Sequence, residues 1–562
     1  MQIKNNHTAK RLASKDQVAI AALLLVYTIM FVPAMFSDWS HRDFMDIDPQ
    51  SIMYSIEGLT TAPYYNMNAQ YHSQFYGWTY FSLHFVFVML LKALGLASEI
   101  TINLTARTLL FLIGGLIVFH SYRLCREFFP AGWSAFGVLA FVTNPVSAHF
   151  FITIHPESLG MLLQIVAIRF FLAVYRSPDF SHVNYLIAVA FLSLAALCKQ
   201  PFVITGGLFF VGFLLLQMRR ERGPGVTARQ VGWLALQTVG VAIVVLFVIH
   251  PYAILEPSRF LEAQLTLMSD HSPKSFADVA PQWGGVVLSN FIVLSNFILV
   301  PLCLLLPRSY LPYKMSVILT VVAVSIFIFQ VRLFVTSTYL YPAYGFLFFN
   351  ATYFLAKVLW PQLKSHLGLR RASVAVAVLI PLVVLVFGSN MANSAYQAHA
   401  KYFLDGLSTS HVAWSFLSEL PVGTRIAYSP NVAVLDPLKR TGCHAWQGCA
   451  DATKLETFDP DFVAFSPLYP HFESKAYLGF VRDQGFQRVA KIERVVATDL
   501  ACGRDPVLSL SEGGGAQLKM MAEFFPKNIA SCLLAYRAAL SAMRAGAIVA
   551  GLPIEIYARP KQ

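Results

Sequence analysis

Apolar runs of about 17 to 25 residues recur along this chain, the length a helix needs to cross roughly 30 Å of hydrocarbon. The runs 20–35, 231–249 and 374–387 are the plainest. Of 562 residues, 56% are hydrophobic and 13% charged. A soluble globular chain carries roughly 25% charged residues, so this one lacks about half of a soluble surface. The expected class is an α-helical polytopic membrane protein. Lys4, Lys10, Arg11 and Lys15 precede the first run. That run continues for about 20 residues with no small-residue cleavage site behind it, which reads as an uncleaved span rather than a signal peptide.

The formal net charge is +12, from 42 Lys and Arg against 30 Asp and Glu. No basic helix with interleaved aromatics accompanies it, so nucleic acid is not an expected partner. The basic residues fall in short loops instead, as the positive-inside rule requires. Spans are expected near 17–36, 105–122, 132–151, 158–175, 231–250, 285–306, 314–330, 335–358 and 373–390, with 184–217 as two short spans broken at Lys199-Gln200-Pro201. The clusters Arg123/Arg126, Arg219/Arg220/Arg222/Arg229, Arg308/Lys314 and Lys357/Lys364/Arg370/Arg371 share the side of the basic N-terminus only if 78–96 does not cross. That run is therefore expected as a juxtamembrane or re-entrant helix. About 11 crossings remain, with the N-terminus inside and the C-terminus outside the cytoplasmic (inner) membrane.

This topology sends five polar features to the outer face: the loop 37–77, His155-Pro156-Glu157, Lys199-Gln200, the loop 251–284 and Arg332. The charge rule used only the opposite loops, so their convergence is an independent sign of an outward-facing site. The loop 37–77 sets Asp38, Asp43, Asp46, Asp48 and Glu57 beside His41, Arg42 and His72. The Asp46-Ile47-Asp48 spacing suits either a divalent metal or a general base beside a second carboxylate. The plain alternative is a solvated acidic loop. Glu157, one residue after Pro156, suits the positive end of a helix dipole. Alternatively, His155 and Glu157 partner the loop carboxylates around a metal or an acceptor.

Lys199 lies between two apolar runs and must reach water, pair with a carboxylate or bind an anion. Pro201 breaks the helix there, as expected where backbone lines a cavity. Arg332 is a second isolated cation in apolar sequence. Snorkelling explains either cation alone. Together, on the cation-poor side, they suit a phosphate or diphosphate. No P-loop, G-x-S-x-G, H-E-x-x-H or dinucleotide fingerprint is present.

From about 391 the long apolar runs stop. Short alternating runs at 425–429, 462–466, 488–492 and 554–558, with helices at 408–420 and 530–546, read as a soluble α/β domain spanning 391–562. Its cysteines, Cys443, Cys449, Cys502 and Cys532, are even in number and suggest two disulfides in an outside compartment, Cys443 with Cys449 closing the shorter loop. Cys125, Cys198 and Cys303 read as packing residues.

The order of these features resembles the GT-C superfamily of integral membrane glycosyltransferases, which includes protein O-mannosyltransferases and aminoarabinose transferases of lipid A. The layout is matched over about 17–390. A first span precedes an acidic outer loop (Asp46, Asp48) and a juxtamembrane run (78–96). The basic SYRLCREFFP segment, the ITIHPESLGM turn, the AALCKQPFVI turn and VRLFVTSTYLYPAYGFLFF follow in order. The family's usual Asp-Glu or Glu-Glu pair is replaced here by Asp46-Ile47-Asp48. The resemblance implies a hexosyl- or pentosyltransferase that moves a sugar from a polyprenyl-phosphate-linked donor to an envelope acceptor on the outer face. Asp46 or Asp48 would be the base, and Lys199, Arg332 and Arg42 would meet the donor phosphate. His155, Glu157, His72, Gln200 and Tyr339 would line the acceptor or support the site. A divalent cation (Mg or Mn) held by Asp46, Asp48 and Glu157 is optional, and the C-terminal domain would be periplasmic. The competing classes are a transporter or lipid flippase, a non-catalytic envelope assembly protein, and a ligase or phosphotransferase drawing on the same lipid-linked pool.

Overall fold

The structure is a computed structural model. It describes residues 2–35, 52, 55–56, 77–177, 180–218, 227–271, 287, 291–330, 340–362, 364–365, 413, 416–417, 419–429, 432, 441–444, 449, 452–466, 472–492 and 554–560. The chain divides into two compact units. One comprises Met1–Val32, Leu59–Leu90 and Ala106–Ala395; the other comprises Pro33–Gly58, Leu91–Thr105 and Tyr396–Gln562.

The described part of the chain is mostly helical. In order come α1 (Gln2–Met35), α2 (Trp78–Ala93), α3 (Glu99–Arg126), α4 (Ala131–Val142), α5 (Pro145–Ile152), α6 (Pro156–Arg176), α7 (His182–Ala196), α8 (Pro201–Met218), α9 (Ala228–Ile249), α10 (Pro257–His271), α11 (Phe291–Leu304), α12 (Leu311–Gln330) and α13 (Tyr341–Tyr353). The last runs on as a turn of π-helix, Phe354–Leu359. Among the described residues six helices are long and apolar enough to cross a membrane, or seven if the bent pair α4–α5 is one span. The protein is an integral membrane protein. The expected helix at 78–96 is present as α2, and the chain breaks between α7 and α8 at the expected lysine turn. The expected single span 132–151 is two helices meeting at Thr143-Asn144, where Asn144 Oδ1 accepts from the Val146 backbone N–H at 3.0 Å. The expected span 373–390 lies outside the described residues.

Local chemistry sets several helix starts. Ser181 accepts from Asn184 N–H ahead of α7, and Thr227 with Gln230 forms a capping box ahead of α9. Packing follows sequence neighbours: α6 lies against α7, α7 against α9, α8 against α12, and α12 between α11 and α13. One apolar cluster ties four of these helices together through Phe171, Tyr185, Phe213 and Leu234. Tyr185 satisfies its hydroxyl on the Leu234 carbonyl at 2.8 Å. A buried tyrosine needs such a partner.

The second unit carries a five-stranded mixed sheet: β1 (Arg425–Tyr428), β2 (Thr441–His444), β3 (Phe462–Phe465), β4 (Gln487–Ile492) and β5 (Ile554–Ala558), in the order β2-β1-β3-β5-β4. β1 pairs in parallel with β2 and β3, whereas β5 runs antiparallel to β3 and β4. The period of two is visible in the cores. Ala427, Val463 and Phe465 pack under α14 (Phe472–Asp483) through Tyr477 and Phe480. Ile426, Tyr428, Ala464, Ile554 and Ile556 face the opposite side, against Ala413 and Leu417. Cys449 is buried and disulfide-bonded; Cys502, Cys532 and the side chain of Cys443 lie outside the described residues. Cys125, Cys198 and Cys303 are buried and free.

Candidate active site

One end of the helical unit gathers four turns that are far apart in sequence. The first is the start of α6. His155 precedes it in extended backbone, Pro156 occupies the first helical position, and Glu157 lies in the first turn. Pro suits that position because its missing N–H would have no partner there anyway. The second is the break before α8, where Lys199 Nζ donates to Glu157 Oε1. His155 Nδ1 meets the other oxygen, Glu157 Oε2. The Glu157 side chain is 1% exposed and that of Lys199 11%. A carboxylate so deeply buried is tolerable only when its charge is matched. Lysine, imidazole and the helix N-terminus supply the match together.

Two close approaches fix this arrangement. Gly160, one turn into α6, lies where an added Cβ would come within 2.5 Å of Phe202 Cε2, so only glycine lets the start of α8 seat against α6. Gly77, at φ +81°, turns the chain into α2, and an added Cβ there would lie 3.2 Å from Pro156 Cγ. Ser158 Oγ donates to the Phe150 carbonyl at 2.6 Å, and Phe150 packs on Tyr341 with ring centroids 3.9 Å apart. This brings the segment 340–344 to the back of the same centre.

The third and fourth turns are the start of α2 and the α9–α10 junction. Trp78 packs on His250 and Phe260, at 5.0 and 5.3 Å between centroids. Thr79 Oγ1 donates to the Leu194 carbonyl at 2.8 Å, and Ser82 Oγ to the Ile249 carbonyl at 3.3 Å. Gln200 Nε2 donates to Gln264 Oε1 at 3.3 Å, which links the lysine turn to α10.

Of the residues singled out in the sequence, His155, Glu157 and Lys199 therefore meet directly, with Gln200 beside them. Asp46, Asp48, Arg42, His72, Arg332 and Tyr339 lie outside the described residues. Trp78, His250, Gln264 and Tyr341 were not marked by the sequence reading. The isolated His250-Pro251 after an apolar run was the available signal for one of them. Among the described residues no group of three His, Cys, Asp or Glu side chains is arranged to hold a metal ion. Glu157 Oε1 is taken by Lys199, and Oε2 lies against His155. Glu157 thereby holds the Lys199 ammonium between the starts of α6 and α8.

No family model and no curated protein matches this sequence. Solved structures do. ArnT from Cupriavidus metallidurans, crystallised with undecaprenyl phosphate, superposes with a TM-score of 0.53 over 84% of this chain and 95% of its own, at 16% identity. The Archaeoglobus fulgidus oligosaccharyltransferase tethered to an acceptor peptide gives 0.52 over 97% of this chain and 88% of its own, at 10% identity. The AglB oligosaccharyltransferase of the same organism, in complex with an inhibitory peptide and a dolichol-phosphate, gives 0.50 at 11% identity, again over 97% and 88%. At such identities the likeness is one of fold. The chain has the fold of the GT-C integral membrane glycosyltransferases.

Proposed function

We propose that the protein is a membrane glycosyltransferase moving a sugar from a polyprenyl-phosphate-linked donor to an envelope acceptor on the outer face of the inner membrane. The observation that carries the reading is the GT-C fold shared over 84% of the chain with a protein crystallised on undecaprenyl phosphate. The buried Lys199–Glu157 pair supports it, because it keeps a cation at a bundle end where a lipid-borne phosphate would arrive.

In this reading Asp46 or Asp48 takes the proton of the acceptor hydroxyl as its oxygen bonds to the anomeric carbon. The bond from that carbon to the donor phosphate oxygen breaks, and the electron pair leaves with the phosphate. The transition state has oxocarbenium character, as in other glycosyl transfers. Lys199, Arg332 and Arg42 meet the growing negative charge, a contribution of several kcal/mol where water is excluded. Glu157 acts through Lys199, by holding it. The C-terminal α/β unit selects the acceptor. Whether the sugar is a hexose or a pentose is set by pocket contacts around the anomeric centre.

The test is mass spectrometry of envelope lipids and glycans from a strain lacking the protein, complemented with wild type, Asp46→Asn or Asp48→Asn. One glycan or lipid should lose a sugar on deletion. Wild type should restore it, and at least one aspartate variant, present in the membrane at normal level, should not. An unchanged glycan profile, or full restoration by both variants, sinks the reading.

A further inference from the structure

At the opposite end of the same helices, α3 and α6 carry Arg123, Arg126, Arg169 and Arg176 near Asp16 and Glu127. Arg126 on α3 is taken by Asp16 of α1, with Nε 2.7 Å from Oδ1, and Tyr122 donates to the same oxygen at 2.8 Å. Arg176, at the end of α6, is taken by Glu127. Among the described residues Arg123 and Arg169 contact neither acid directly, although Asp16 attracts Arg123 and Glu127 attracts Arg169 at longer range. Arg123 is exposed, and the two repel one another.

Arg169 lies inside α6, seven residues before Arg176 and so about 10 Å further along the axis. Its Nη1 donates to His120 Nδ1 at 2.8 Å. Arginine has no acceptor, so the contact makes Nδ1 the acceptor and His120 a neutral ring carrying its proton on Nε2. A neutral partner leaves the arginine without a contacting carboxylate among the described residues; Glu127 attracts it only at longer range. Moreover, Arg169 Nε is buried and has no hydrogen-bond partner. An unmatched guanidinium with an idle donor inside a spanning helix is costly, and such residues mark ligand positions.

The neighbouring surface shows which ligand. α3 and α6 are bridged here by long side chains rather than by close backbone packing. Leu112 and Leu116 on α3 are exposed and precede Arg123 by eleven and seven residues, on one stripe of the helix. From Leu112 to Arg123 is about 16 Å along the axis, half of a hydrocarbon core of roughly 30 Å. A phosphate at Arg123 and Arg169 would thus carry a hydrocarbon chain down an apolar track of one leaflet's depth.

We infer that Arg169, Arg123 and His120 form a binding site for the phosphate of an anionic membrane lipid, in the leaflet at the Asp16 end of the helices. The phosphate accepts from the Arg169 and Arg123 guanidinium groups, and its chain lies on Leu116 and Leu112. The site is separate from the His155–Glu157–Lys199 centre and does not depend on the glycosyltransferase reading.

The experiment is native mass spectrometry of the purified full-length protein with added phosphatidylglycerol, comparing wild type, Arg123→Gln, Arg169→Gln and the remote exposed control Lys357→Gln. Arg123 is exposed and contacts no acid directly among the described residues, so its variant should fold as wild type even if Arg169→Gln does not. A basic residue at a membrane surface contributes on the order of 1 kcal/mol toward an anionic lipid, so Arg123→Gln should weaken retention about fivefold. Lys357→Gln should retain the lipid as wild type does, and equimolar inorganic phosphate should not displace it. Equal retention by wild type and Arg123→Gln overturns the site. So does an equal loss in the Lys357→Gln control, and displacement by inorganic phosphate overturns the lipid as its occupant.

Discussion

Lys199 donates its ammonium proton to Glu157 across 42 residues of sequence, with both side chains sealed between the starts of α6 and α8. Each charge makes the other's burial tolerable. Replacing Lys199 with Met leaves a buried carboxylate with only a histidine beside it, at a cost of about 3 kcal/mol or more. Glu157→Gln strands the ammonium and should cost a comparable amount. The double variant Lys199→Met/Glu157→Gln removes both charges, so its loss should fall short of the sum by at least about 2 kcal/mol. Thermal unfolding of the four proteins in one detergent gives the cycle. Simple additivity would show that the pair is not coupled.

Gly160→Ala pits two effects against each other. Alanine in a helix interior gains up to about 1 kcal/mol over glycine. Its Cβ, however, would lie 2.5 Å from Phe202 Cε2, and the ring is fully buried. Overpacking of that kind costs about 1–3 kcal/mol, so the net effect should be a loss of stability. Phe202→Leu in the Gly160→Ala background should recover most of it. A Gly160→Ala protein as stable as wild type would mean that α6 and α8 approach less closely than described.

The apolar spans were legible because hydrophobicity over about 20 residues is a property of the window and needs no tertiary contact. The same averaging hid the bend at Thr143-Asn144, since the flanking residues stay apolar through it. Strands β1, β3, β4 and β5 were legible by their alternation. β2, with the sequence TGCH, was missed; it has no apolar run and exists as a strand only because Ile426 and Ala427 of β1 pair with Gly442 and Cys443. Lys199 and Glu157 were each recognised as costly charges in apolar surroundings. Their pairing was not foreseen, since spacing along a chain says nothing about which two helix starts will pack. A carboxylate partner was one option open to Lys199 and helix capping one open to Glu157, but nothing in the spacing named the other residue.

Asn350 on α13 occupies the centre of a polar knot between helices. Its Nδ2 donates to Asn296 Oδ1 at 3.1 Å and to Thr320 Oγ1 at 3.2 Å, and its Oδ1 accepts from Ser316 Oγ at 2.7 Å. Side-chain hydrogen bonds between membrane helices average about 0.6 kcal/mol, so losing these should cost ~2 kcal/mol in Asn350→Leu. Asn296→Leu in that background should add only the loss of its remaining bond across to α13, from Nδ2 to the Leu347 carbonyl at 3.1 Å. A loss below about 0.5 kcal/mol for Asn350→Leu would mean that the knot contributes only specificity of packing.

Asp459 should govern the acid limb of the α/β unit. It lies at φ +52°, just ahead of β3, and accepts from Arg559 and, at 2.7 Å, from Arg425 Nη2. The Arg559 hydrogen bond first, and then that from Arg425, hold its carboxyl below the ordinary value of 3.8. A group whose pKa is depressed on folding contributes stability that is complete above its unfolded pKa and lost as pH falls through the folded one. The window is therefore below about pH 4, and above it the contribution should be flat. Asp459→Asn should lower stability at neutral pH and shrink the further loss on acidification, so that the two curves converge at low pH. Salt should narrow the gap, since the site is solvent-exposed and screened. Hydrogen exchange at the β1 and β3 amides, followed from pH 6 to pH 2 in the full-length protein, reads this locally; parallel curves for wild type and variant would assign the acid sensitivity to other carboxylates.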